Sequence, residues 1–230
     1  MNMKNNKIGI LGGMGPQASI RLCDLIINKT IEKFPNLKSG DFPEIVLDSI
    51  PVPDFISSKR NFKKTKVLLQ NRVKKMNVFK VNTFCIACNT AHLFLPDLIN
   101  LTNGRFVSIV DEVTKECISK GFLRVGLFAS PNSIRCNLYK IIEDTRVLIT
   151  PSKEIIKRLD EFIRLTINGK ITSSQKNEFN NLCRTFFQDN RLDVLILGCT
   201  ELPLIFKKSK SIKVIDTIEL LASRIVDTIK

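Results

Sequence analysis

The chain has 230 residues, 43% of them hydrophobic, which is enough for one large domain or two small ones with packed cores. Its net charge of +14 is spread along the sequence, and with no Trp and one Tyr it lacks the basic block with interleaved aromatics that marks a nucleic-acid surface. No apolar run approaches a membrane span, MNMKNNK at the start lacks the apolar core of a signal peptide, and seven cysteines scattered among apolar residues suit reduced thiols, so a cytoplasmic protein with neither membrane nor nucleic-acid partners is expected.

In chain order, residues 7–11 form a short apolar strand that runs into Gly12-Gly13-Met14-Gly15-Pro16, and a helical pattern follows over 18–27. Residues 13–18 fit the loose dinucleotide pattern G-x-G-x-x-A, but no acidic residue ends a second strand at the right distance and a proline removes one N–H from the cradle. A loop whose backbone N–H groups approach a carboxylate is the better reading. Residues 44–50 make the next strand, Pro51-Val52-Pro53-Asp54 a stiff turn, and 64–76 a helix. The basic cluster at 57–66, SSKRNFKKTK, is a solvated loop and helix start that could also draw in acids.

The stretch VNTFCIACNTAH at 81–92 is a buried strand that ends at Asn89-Thr90, residues that favour helix starts, so Cys88 stands where strand hands over to helix. Such a position stabilises a thiolate or holds an anion. A further strand is expected at 106–110, then a helix at 111–120, a strand at 124–128, a turn through Ser130, a helix at 134–143 and a strand at 147–149. Amphipathic helices at 152–167 and 173–189 lead to the strand 193–197. Gly198-Cys199-Thr200 then repeats the Cys88 arrangement, with Thr200 as a possible cap. A strand at 214–215 and a helix at 218–229 close the chain.

Alternating strands and helices give an α/β class with parallel sheets. The two halves repeat one organisation: a first lobe over 1–110, a second over 111–212, related by a pseudo-twofold, with 213–230 returning to the first. Ligands bind at the carboxyl ends of strands in open α/β sheets, and both cysteines lie there. The expected site is the cleft between Cys88 and Cys199.

Two facing thiols suit inversion of a carbon centre without a cofactor. One, as thiolate, removes a proton from one face; the other, protonated, returns one to the opposite face. The carbanion's charge needs donors, and the N–H groups after each cysteine, with Asn89, Thr90, Thr200 and Ser130, are placed to supply them. His92, the only histidine, reads either as a polar residue of a first helical turn or as an orienter of the thiol; Glu201 either complements a helix start or raises the basicity of Cys199. C-x-x-C-x-x-x-H at Cys85, Cys88 and His92 is a fragment of a zinc site with no fourth ligand close in sequence, so no metal is assigned. Cys23, Cys117, Cys136 and Cys183 read as small buried hydrophobes.

Gly12 to Pro16, Cys88-Asn89-Thr90-Ala91-His92 and Gly198-Cys199-Thr200-Glu201-Leu202-Pro203-Leu204, with Val125 to Ala129 and Val214 to Asp216, together resemble the cofactor-independent aspartate/glutamate racemase family on its aspartate side. The resemblance implies a cofactor-independent amino-acid racemase in which Cys88 and Cys199 are the catalytic acid/base pair. It places Met14, Asn89, Thr90, Ser130 and Thr200 around the substrate's carboxylates and ammonium, and it implies a homodimer. Three positions depart from the family pattern: Phe55 follows Pro53-Asp54 where an Arg is usual, Ile167 stands in place of a Lys, and Asn132-Ser133 replaces Gly-Thr. Loss of a bidentate Arg weakens selection for a side-chain carboxylate, for which Arg60 or Lys170 are the candidate replacements. The alternatives are a racemase of other specificity, a hydantoin racemase or maleate isomerase relative, or a non-catalytic protein that binds an acidic metabolite on the same fold.

Overall fold

The computed structural model describes residues 6–144 and 146–229. Its described strands form two four-stranded parallel sheets. The first contains β1 (Lys7–Gly12), β2 (Glu44–Ser49), β3 (Thr83–Ile86) and β4 (Arg105–Val107) in the order β2-β1-β3-β4. The second contains β5 (Arg124–Ala129), β6 (Val147–Ile149), β7 (Val194–Gly198) and β8 (Val214–Asp216) in the matching order β6-β5-β7-β8. The register is also equivalent at the carboxyl ends: Leu11 of β1 lies beside Ile86 of β3, and Phe128 of β5 beside Leu197 of β7, each pair two residues before a cysteine. Two similar α/β lobes therefore bring the ends of β3 and β7, and the cysteines that follow them, to corresponding places.

Strand alternation divides the hydrophobic residues among three cores. Ile8 and Ile10 of β1, Cys85 of β3, Val125 and Leu127 of β5, and Val194 and Ile196 of β7 point into one central core shared by both sheets. Between the sheets lie α1 (Pro16–Lys33), α3 (Ile109–Ser119) and α7 (Thr217–Asp227), which contribute Leu22, Ile26, Val113, Leu221 and Ile225. The opposite face of the first sheet packs on α2 (Phe62–Met76) through Leu69, Val73 and Met76. That of the second packs on α5 (Lys153–Ile167) and α6 (Ser173–Asp189), where Leu159, Phe162 and Ile163 meet Phe179 and Cys183. Each such side chain contributes roughly 1.5–3 kcal/mol when fully buried. Residues 214–216 extend the second sheet by pairing with β7, and it is α7 that packs against α1 and α3.

Three local expectations are corrected. Residues 109 and 110 belong to α3 rather than to a strand over 106–110, because the Ser108 hydroxyl accepts the Asp111 N–H as a cap and starts the helix early. In place of a helix over 134–143, α4 (Pro131–Arg135) stops at Cys136, and Asn137 adopts φ 51°. Asparagine tolerates this left-handed conformation, so the chain turns and carries Tyr139 into the central core. After Cys88 the chain forms a 3-10 helix, Thr90–Asp97, and not an α-helix; Pro96 within it has no N–H to continue an α ladder. No helix among the described residues is long and apolar enough to cross a membrane.

Candidate active site

Cys88 lies two residues past the carboxyl end of β3 and Cys199 directly past that of β7, and they are 3% and 5% exposed. Around Cys88 the neighbours are donors. The N–H groups of Ala91 and Thr90 and the Thr90 hydroxyl are directed at its sulfur and favour thiolate, yet burial, aided by the Glu201 carboxylate, pushes the thiol up to about 12. The Thr90 hydroxyl also lies 2.8 Å from the Ser130 hydroxyl and 3.1 Å from that of Ser133, so three buried hydroxyls from both lobes form one cluster.

Around Cys199 the neighbour is an acid. The Cys199 thiol donates to Glu201 Oε2 at 3.0 Å, the Thr200 hydroxyl donates to the same oxygen at 3.0 Å, and the Gly15 N–H donates to Oε1 at 3.1 Å. Thr200 thus serves Glu201 instead of capping a helix. Burial raises the Glu201 carboxyl above its ordinary range, even though these three donors favour its ionised form. The Cys199 thiol is raised well above the usual thiol range by burial, then by the Glu201 charge and hydrogen bond, then by Cys88. The expectation that strand-to-helix positions lower the thiols is overturned: both are withdrawn from water and share one buried carboxylate.

The Gly12–Pro16 loop reaches this carboxylate from the first lobe. Gly13 has φ +87°, and a Cβ there would lie 2.3 Å from the Ile50 nitrogen, so this turn against the end of β2 requires glycine. The Gly13 N–H donates to the Ser19 hydroxyl at 2.9 Å. The backbone of the loop does approach a carboxylate, as the sequence suggests, and that carboxylate is Glu201 of the same chain. Met14 packs in the same apolar cluster as Cys88.

His92 and Asn89 support the corner from behind. His92 Nε2 accepts the Ile109 N–H at 3.1 Å, which leaves Nδ1 to donate to the Cys88 carbonyl at 2.9 Å. This fixes a neutral ring, and burial lowers its pKa further. His92 therefore acts on the backbone of Cys88 and on the first turn of α3. Asn89 is buried with both ends of its amide engaged: Oδ1 accepts from the Tyr139 hydroxyl, and Nδ2 donates to the Thr217 hydroxyl at 3.1 Å. The Thr217 hydroxyl in turn donates to the Leu197 carbonyl at 3.1 Å, two residues before Cys199. A line of side chains thus links the two cysteine corners. Tyr139 and Thr217 are not singled out by sequence reasoning, and Ser133 only as part of a departure from the family pattern; the hydroxyls carry no local signal of long-range partners.

Cys85 points to the central core, its sulfur 3.6 Å from the Gly9 carbonyl, and so does not converge with Cys88 and His92. Among the described residues no group of three or more His, Cys, Asp or Glu side chains is arranged to hold a metal.

A pocket of about 210 Å3 opens beside the site, lined by the Gly13–Pro16 loop, residues 52–56, and Arg164, Ile167 and Asn168 at the end of α5. Its first-lobe wall is tied to the second lobe. Asn132 donates its side-chain amide to the Phe55 carbonyl at 2.6 Å and its N–H to the Ile56 carbonyl at 2.9 Å, and Ser57 donates to Asp160 at 2.6 Å. The three departures noted in the sequence, Phe55, Asn132 and Ile167, meet at this one place. Neither Arg60 nor Lys170 lines the pocket; the cation in its wall is Arg164, which the sequence presents only as part of the polar face of an amphipathic helix.

A family model described as Asp/Glu/Hydantoin racemase matches residues 11–225. The broad specificity amino-acid racemase RacX of Bacillus subtilis (strain 168) is 25% identical over 228 residues, which cover 96% of this chain and 97% of that protein. The crystal structure of an aspartate racemase homologue from Pyrococcus horikoshii OT3 matches with a TM-score of 0.79 at 26% identity, covering 96% of this chain and 98% of that one. The Picrophilus torridus aspartate racemase has the same fold, with a TM-score of 0.76, 24% identity and coverage of 97% and 94%.

Proposed function

Since the chain belongs to the Asp/Glu/hydantoin racemase family, and is thereby an isomerase, we propose that it inverts free α-amino acids by two-base proton transfer between Cys88 and Cys199, without a cofactor. The observation that carries the reading is the pair of buried thiols at equivalent strand ends, each followed by polar groups of suitable chemistry. The kinship with racemases, RacX and the Pyrococcus horikoshii homologue among them, supports it.

In the resting protein both cysteines are thiols, since burial pushes Cys88 up to about 12 and raises Cys199 well above the usual thiol range. An amino acid changes this on entry. Its ammonium brings a positive charge into a site whose fixed charge is the Glu201 carboxylate, and a neighbouring cation favours thiolate. Glu201, hydrogen-bonded to the Cys199 thiol, is also placed to take that proton. One thiolate then removes the α-proton while the other cysteine, as thiol, delivers a proton to the opposite face; the two exchange states in each turnover. Negative charge that develops on the substrate carboxylate is received by the Thr90 and Ala91 N–H groups and by the hydroxyls of Thr90, Ser130 and Ser133. Met14 closes the site against the first-lobe core, and Thr200 holds Glu201.

The test is proton NMR in deuterated water on the full chain with L- and D-amino acids and no added cofactor. Loss of the α-proton signal together with appearance of the opposite enantiomer is the expected result. Binding of amino acids without exchange of any α-proton would instead assign the fold a binding role.

A further inference from the structure

The pocket beside the thiols has a chemistry of its own. Met14, Val52, Phe55, Ile56 and Ile167 give it apolar walls, and residues of both lobes enclose it. It adjoins the reacting groups through Gly15, whose N–H donates to Glu201 and where an added Cβ would lie 3.0 Å from Glu201 Oε1 and 3.5 Å from Ile167 Cγ1. The pocket therefore begins one residue from the carboxylate that receives the Cys199 thiol.

Arg164 supplies its positive charge, but that charge is already engaged. Its Nε donates to Asp160 Oδ2 at 3.1 Å, and its Nη2 donates to Asp54 Oδ2 at 2.9 Å and to the Ser57 hydroxyl at 2.8 Å. Two carboxylates share one guanidinium, and one of them, Asp54, itself lines the pocket. A substrate carboxylate placed here would be the third on that guanidinium, would find only Nη1 not already donating to Asp54, Asp160 or Ser57, and would lose water to apolar walls. An aliphatic chain meets no such penalty and gains by burial.

Resting on the racemase reading, we propose that this pocket receives the substrate side chain and selects aliphatic and thioether side chains of leucine and methionine size over the acidic side chains of aspartate and glutamate. The clasp of Asn132, Ser57, Asp160 and Arg164 holds Phe55 and Ile56 in place as its wall.

The experiment compares kcat/KM for inversion of leucine, methionine, aspartate and glutamate, followed by circular dichroism, in the full chain and in Ile167→Lys, which adds an ammonium to the wall. The aliphatic pair is expected to exceed the acidic pair by about tenfold or more, on the scale by which pocket contacts discriminate substrates. Ile167→Lys is expected to narrow that ratio by a similar factor. Equal or better turnover of the acidic pair by the natural chain overturns the assignment and leaves the racemase reading standing, and so does a ratio that Ile167→Lys fails to move. Absence of inversion and of α-proton exchange with every amino acid overturns the racemase reading itself, and the assignment with it.

Discussion

Cys88 and Cys199 occupy matching places in two sheets of the same strand order, and their surroundings differ in sign. At Cys88 the close partners are N–H and hydroxyl donors, while burial pushes the thiol up to about 12. At Cys199 the close partner is a carboxylate, which adds to burial in raising that thiol well above the usual range. The difference teaches that topological symmetry need not give chemical symmetry.

Glu201→Gln should disturb the comparison most. It removes the negative charge that raises both thiols while keeping an amide oxygen for the Gly15 N–H. Both thiol pKa values should fall, so thiolate forms at lower pH, and the alkaline rise of kcat/KM should move about one pH unit or more to the acid side. The rate of iodoacetamide labelling against pH reads the same shift independently of turnover. The larger movement is expected at Cys199, whose hydrogen bond is also altered.

Thr90→Val acts on one corner in the opposite sense. Loss of the hydroxyl that favours thiolate raises Cys88 further, so its labelling should require higher pH and kcat/KM at neutral pH should drop by roughly tenfold, about the value of one hydrogen bond to a charged group. Thr200→Val, whose hydroxyl meets Glu201 and not the sulfur, should leave the Cys88 profile in place. Equal effects of the two substitutions on Cys88 would erase the distinction between the corners.

Tyr139→Phe probes the link between them. It leaves the buried Asn89 Oδ1 without its donor, at a cost of about 1–3 kcal/mol in stability, read from chemical denaturation. The labelling profiles of the cysteines should change less than with Glu201→Gln, because no charge is removed.

Much of this was legible in the sequence for physical reasons. Apolar runs that stop at glycine or at Asn-Thr mark strand ends, and the repetition of one such end at Cys88 and Cys199 points to two similar lobes. Helix starts are local too: α5 and α6 begin within a residue of where the sequence places them, and the Ser152 hydroxyl and the Thr172–Gln175 capping box hold those starts. What was not legible depends on partners far along the chain. Tyr139 reads as a helical residue until Asn137 turns the backbone, and its meeting with Asn89 is a consequence of two lobes packing on one core. Arg164 reads as a solvated charge; only the fold brings Asp54 and Ser57 to it. The thiols' direction of shift was misjudged because local sequence shows the donors that lower a pKa, while burial, which raises it, is a property of the assembled lobes.

The most direct test of the account is enantiomer-resolved α-proton exchange in deuterated water with Cys88→Ala and Cys199→Ala, using an amino acid that the natural chain inverts. The account predicts that both variants lose inversion, by about 10²–10⁴-fold, and that each retains α-proton exchange with a different enantiomer, since each keeps the base for one face. Inversion that survives in either variant, or exchange of the same enantiomer in both, would contradict the assignment of the two thiols to opposite faces.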